Sequence, residues 1–229
     1  MTKPEIVSRE QWLSARKALL AEEKELVRQR DALAARRRAL PMVRVDKPYM
    51  FEGPEGKLSL RDLFGERSQL IIYHFMLGPD AEVGCKSCSL LADTFDGASR
   101  HLPARDISFV AVSRGQLPNI QRFQKRMGWT FRWVSSFGSD FNFDYGVSFR
   151  EGDTAATYNY APSTFGPGEA PGLSVFLRDG DGVFHTYSTY ARGLDPLIAT
   201  YSFIDLTPLG RNEQDLPYGM AWVRHHDSY

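Results

Sequence analysis

The chain of 229 residues carries no surplus of either charge: Lys plus Arg and Asp plus Glu stand at 28 each. Proteins that grip nucleic acid through its phosphates rest on a basic excess, so no nucleic-acid partner is expected. No apolar run approaches the roughly 20 residues that cross a bilayer, and the opening MTKPEIVSRE has no apolar core like that of a secretory signal. A cytoplasmic location without membrane attachment is the expectation. Cysteine is scarce, with two residues in all, which is too few for a disulfide-stapled scaffold. Internal repeats and low-complexity tracts are also missing.

Glycine and proline are absent from residues 9–40, and that absence is informative. The stretch is rich in Ala, Leu, Glu, Lys and Arg, all good helix formers. Ser8 and Gln11 have the spacing of a capping box, and Pro41 supplies a stop. One helix of roughly 45–50 Å is expected. Its apolar residues fall in adjacent pairs every seven positions: Trp12/Leu13, Leu19/Leu20, Leu26/Val27 and Leu33/Ala34. The slots that would complete a coiled-coil seam hold Arg16/Lys17, Glu23/Lys24, Arg30/Asp31 and Arg37/Arg38, so only half a seam is present. A narrow stripe on so long a helix suits contact with a second copy, and a homodimer through this helix is expected. The alternative is a solvated helix lying on its own domain. Arg36–Arg38 read as a helix end favoured by the helix dipole.

Past Pro41 the pattern changes. YMFEGPEGKLSL (49–60) reads as a hairpin. LIIYHFM (70–76) is a continuous apolar run, the mark of a strand buried on both faces. A loop leads into GCKSC, then a helix over about 86–100, the strand ISFVAVS (107–113), the helix LPNIQRFQKRM (117–127) and a strand in FRWVSS (131–136). LSVFLRDGDGVFHTYSTY (173–190) is a hairpin on a Gly-Asp-Gly turn, and a helix is expected over about 194–206. The Gly-, Pro-, Ser- and Thr-rich stretch 150–172 is too long for a plain connector and is expected to form a lid or an insertion near the active site. Strand, CxxC, helix, strand, helix, hairpin, helix is the thioredoxin order. The expected fold is an α/β, thioredoxin-like three-layer sandwich with a long N-terminal helix. It divides into a helical arm (1–41), a thioredoxin-like domain (42–209) and a C-terminal tail (210–229).

Both cysteines lie in GCKSC, as Cys85 and Cys88. Thiols stay reduced in the cytoplasm, so the pair is read as catalytic, redox-sensing or metal-binding before it is read as a staple. Cys85 falls at the start of a helix, where unpaired N–H groups and the dipole favour a thiolate, with Lys86 adding positive charge and Ser87 beside it. Cys88 shares a helix face with Leu91, Ala92 and Phe95 and should point inward. Cys85 is then the attacking thiol and Cys88 the resolving one. A zinc half-site is the first alternative. It needs two more ligands, and His74, His101, His185, His225 and His226 offer no chelating spacing, so neither metal nor organic cofactor is expected. Two inert core cysteines are the second alternative.

These residues, with the blocks FQKRMGWTFRWVSS, DFNFDYGVSF and GLSVFLRDGDGVFHTYSTYARGLD, resemble a bacterial thioredoxin-like family known as domain of unknown function 899. The resemblance runs over roughly residues 10–210. It implies a thioredoxin-like fold related to the peroxiredoxin and AhpC branch, with Cys85 and Cys88 at that fold's redox positions. It supplies no substrate. Peroxiredoxins carry Pro seven residues and Thr three residues before the peroxide-attacking cysteine; here those places hold Gly78 and Glu82, which argues against a peroxidase. Thioredoxins set a cis-proline before the third core strand, facing the CxxC. Pro171 lies close to that place, with Gly172 between it and Leu173.

The expected function is therefore a thiol–disulfide oxidoreductase acting on a disulfide-containing protein or small molecule. A redox-inactive binding or dimerisation module is the alternative, and a thiol peroxidase ranks third. Trp129, Phe131, Trp133 and Phe137 are expected in the core. Asp140, Asn142 and Asp144 lack the Gly and later Glu of a calcium loop and are expected to hold a loop together. His74 is read as a core histidine or a group tuning the thiols.

Overall fold

The computed structural model describes residues 4–153, 156–163 and 166–229. The chain opens with α1 (Arg9–Arg38), then β1 (Val43–Arg44), β2 (Met50–Gly53), β3 (Gly56–Ser59) and β4 (Gln69–His74). Next come α2 (Lys86–Ser99), β5 (Ile107–Ser113), α3 (Leu117–Arg126), β6 (Arg132–Ser135) and α4 (Phe141–Asp144). Then come β7 (Ser148–Phe149) and, within 150–172, β8 (Thr157–Tyr158), β9 (Ala161–Pro162) and β10 (Gly168–Glu169). The chain finishes with β11 (Gly172–Asp179), β12 (Gly182–Tyr190) and α5 (Ala199–Ile204).

Eight strands form one sheet in the order β1-β12-β11-β4-β5-β6-β2-β3. β4, β5 and β6 run parallel at its centre, and the β11–β12 hairpin joins β4 antiparallel. Side chains alternate across the pleat, so the apolar run on β4 feeds two cores. Tyr73 and, just past the strand, Phe75 face α2, α3 and α5 together with Leu91, Phe95, Ile120, Phe123 and Tyr201. Leu70 and Ile72 face the other way, against Tyr49, Phe51, Leu63, Phe64 and Phe141. A sheet covered on both faces explains why this strand reads as unbroken apolar sequence rather than as alternation.

Two expectations need correction. The helix expected over 194–206 is two pieces, a 3-10 stretch Ala191–Leu197 and α5, because Pro196 inside the first cannot donate to a continuing ladder. Phe137 is 53% exposed, whereas Trp129, Phe131 and Trp133 are buried. α1 begins on the capping box of Ser8 and Gln11 and ends at Arg38, before Pro41 forces a stop.

Candidate functional site

β4 delivers the chain to a loop at the carboxyl end of the sheet. Cys85 anchors there, its N–H donating to the Met76 carbonyl at 3.1 Å. Gly84, just before it, is wedged between rings: a Cβ there would lie 2.5 Å from Phe75 and 2.6 Å from Phe123. Gly115 and Gly172 are equally tight, with a Cβ meeting Leu77 at 1.8 Å and Tyr190 at 2.8 Å. At each of these three points a neighbouring side chain occupies the space a Cβ would need.

Cys85 is the N-cap residue of α2, and its thiol is partly exposed. Its carbonyl accepts from both the N–H and the hydroxyl of Ser89, each at 2.9 Å, which fixes the first turn. The Cys88 thiol, then the backbone N–H groups of Cys88 and Ser87 and the Ser87 hydroxyl, favour the Cys85 thiolate. These donors outweigh the cost of burial and bring the thiol down to about 6. Lys86 is exposed. Cys88 is 2% exposed. Burial pushes its thiol well above the usual range and the neighbouring Cys85 pushes further, while the Tyr73 hydroxyl and the Met76 N–H pull back.

Pro171 lies directly before β11, and its carbonyl accepts from the Tyr158 hydroxyl at 2.8 Å. No peptide bond among the described residues is cis, so the thioredoxin proline geometry is not reproduced here. Tyr158 belongs to the 150–172 segment, whose residues 154–155 and 164–165 fall outside the described ones. Its hydroxyl also accepts the Ala191 N–H at 3.0 Å.

His74 points into the opposite core. Its Nε2 meets the Ser174 hydroxyl at 2.9 Å, its Nδ1 has no partner, and burial lowers it to about 3, so it is neutral. It does not tune the thiols. Asp140 and Asp144 are committed to Lys47, and Asp140 also to Arg150; Asn142 accepts from the Ser136 hydroxyl. Among the described residues no cluster of three His, Cys, Asp or Glu side chains could hold a metal ion, and no helix is long and apolar enough to cross a membrane.

Sequence patterning offers His225 no role beyond that of a possible metal ligand. Its Nε2 donates to the Gly84 carbonyl at 3.0 Å from 141 positions away, and its ring packs on Phe123. The carbonyl can only accept, which places the ring proton on Nε2. Beside it Asp227 pairs with Arg126 at 2.8 Å, and His226 meets Asp93 of α2 at 2.7 Å. An aromatic cleft of about 440 Å³, walled by Tyr49, Tyr145, Tyr160, His185 and Tyr190, includes neither cysteine.

A parallel β4-β5-β6 core, an antiparallel hairpin beside it and a cysteine capping the helix after the central strand define a thioredoxin-like protein. Within that class the chain belongs to the family described as "Bacterial protein of unknown function (DUF899)", whose model matches residues 1–229. No curated protein matches its sequence. Similar solved structures include peroxiredoxin Q of Xanthomonas campestris, at 14% identity and TM-score 0.44, covering 70% of this chain and 95% of that one. Peroxidoxin BcpB of Mycobacterium tuberculosis is similar at 13% identity and TM-score 0.43, covering 72% and 97%. The mitochondrial 2-cys peroxiredoxin of Plasmodium falciparum is similar at 11% identity and TM-score 0.43, covering 73% and 92%.

Proposed function

We propose that the protein is a thiol–disulfide oxidoreductase of the reducing cytoplasm, with Cys85 attacking and Cys88 resolving. The observation that carries this reading is the asymmetry of the pair. One thiol is partly exposed, caps a helix and is held near 6; the other is buried and stays protonated. An acidified thiol beside a protonated partner is what exchange with a foreign disulfide requires, because the first must attack as thiolate and the second must follow. Substrates are proteins or small molecules carrying a disulfide. A homodimer through α1 completes the proposal: Trp12, Leu19, Leu26 and Val27 are 47–60% exposed on a helix with no buried residue.

Alkylation followed by mass measurement tests the reading. Reduced protein should take up two alkyl groups and mildly oxidised protein none. The Cys85 alkylation rate should rise with pH about a midpoint near 6, since the thiolate fraction grows as pH climbs through it. Cys88→Ser should trap mixed disulfides. Two alkyl groups on the oxidised chain, with no trapped adduct, would return the protein to a binding module. Rapid oxidation of Cys85 by hydrogen peroxide, without exchange with disulfides, would favour a peroxidase.

A further inference from the structure

Gly84 and Cys85 share one peptide unit, and both of its polar ends are tied to protein rather than to water. The Cys85 N–H donates to the Met76 carbonyl at 3.1 Å. The Gly84 carbonyl accepts from His225 Nε2 at 3.0 Å. A loop carbonyl can be satisfied by solvent. This one is met instead by a side chain 141 positions away that is itself only 6% exposed.

The ring that makes this bond is held in place by its surroundings. Phe123 meets it edge-on at 5.3 Å, and Arg126 Nη2 lies 3.5 Å from Nδ1. A guanidinium can only donate, so the lone pair is on Nδ1 and the proton on Nε2, as the carbonyl on the other side also requires. The chain around His225 is pinned before and after it. Val223 is buried. Asp227 accepts from Arg126 of α3 twice, at 2.8 and 2.9 Å, and His226 Nδ1 meets Asp93 of α2 at 2.7 Å. One of those anchors is on the helix that carries the thiols, the other on the helix beside His225.

A peptide plane turns about ψ of the residue before it and φ of the residue after it. Glycine has the widest backbone freedom of any residue, so a plane that begins at Gly84 needs a restraint from outside. With both polar ends bonded the plane cannot turn, and Cys85 keeps φ −59° and ψ 133°. The extended ψ is that of an N-cap residue. It lets the Cys85 carbonyl open the α2 ladder through Ser89 and leaves the thiol at the helix N-terminus, where N–H groups and the dipole favour a thiolate. Resting on the dithiol reading, we propose that His225 is a positioning residue of this centre: by bonding the Gly84 carbonyl it fixes the peptide that leads into Cys85, and the stretch 221–229 is a strap that holds the attacking thiol in register with α2. The ring orients the thiol and takes no part in making or breaking bonds.

Two substitutions in the full chain separate the bond from the packing, with folding checked by near-ultraviolet circular dichroism. His225→Phe keeps a ring against Phe123 and removes the donor. His225→Gln loses the ring and keeps an amide N–H for the carbonyl. In His225→Phe the midpoint of Cys85 alkylation against pH should rise by about one pH unit, roughly tenfold less thiolate at acid pH. Its single-turnover exchange with oxidised glutathione should slow in step. His225→Gln should stay near wild type in both readouts. A side chain that only fills space predicts the reverse order. An unmoved midpoint in His225→Phe overturns the proposal, and so does a His225→Gln midpoint no nearer wild type than that of His225→Phe. If wild-type Cys85 itself titrates like an ordinary thiol, the dithiol reading falls first and takes this one with it, so the two failures are distinguishable. Should His225→Phe not fold, Arg126→Gln, an exposed position outside the bond, releases Asp227 and slackens the strap. The midpoint should then rise by a smaller step, and an unmoved one overturns the assignment.

Discussion

The two ends of this chain invert what their regularity suggests. α1 is an unbroken helix of 30 residues with a complete capping box, and no residue in it is buried. The last stretch has no helix beyond a 3-10 turn, His226–Ser228, yet Val223 and His225 are 2% and 6% exposed. One end is made by local propensity and reaches outward; the other is made by long-range contacts and closes the core beneath the thiols. Local order and integration into the fold are separate properties, and substitutions can tell them apart.

The largest effect should come from removing residues 221–229. The loss of Val223 burial and of the His225 bond should cost about 3 kcal/mol. At 2–4 °C per kcal/mol for a chain of this size, the thermal midpoint should fall by roughly 6–12 °C. An unchanged midpoint would mean that this end is as detached as the other. Next comes Gly84→Ala, which pushes a methyl into Phe75 and Phe123 and should cost about 1–3 kcal/mol by overpacking, read by urea denaturation. His225→Ala should follow, at about 1–2 kcal/mol, because it strands the Gly84 carbonyl. It should also accelerate proteolysis in the 77–84 loop. Smallest of all is deletion of residues 1–38. Measured at dilutions where the intact chain is monomeric, it should move the midpoint by less than about 2 °C, while light scattering at higher concentration shows dimer before deletion and monomer after. A collapse of the deleted chain would show that α1 belongs to the core.

Much of the fold was legible because its signals are local. The apolar run 70–76, the paired runs around Gly-Asp-Gly and the Gly-free stretch 9–40 each mark an element through periodicity or turn chemistry. The inward face of Cys88 followed from its spacing to Leu91 and Ala92. What stayed hidden depends on distance. His225 meets Gly84 across 141 positions, and adjacent histidines near the end of the chain carry no pattern that announces it. The bond from Tyr158 to the Pro171 carbonyl, within the segment expected as a lid or insertion, has no local signal that announces it. Pro196 divides the helix expected at 194–206 into a 3-10 stretch and α5.

The crowding at Gly84, Gly115 and Gly172 has a consequence for how this family can vary over time. Each glycine faces a ring or branched side chain closer than any Cβ tolerates: Phe75 and Phe123, Leu77, and Tyr190. A lineage that drifts at one of these positions must shrink the opposing residue as well, and no single-step path leads from glycine to anything larger without loss of packing. Paired change between positions 84 and 75 or 123, between 115 and 77, and between 172 and 190 is the historical signature this geometry should leave among related chains.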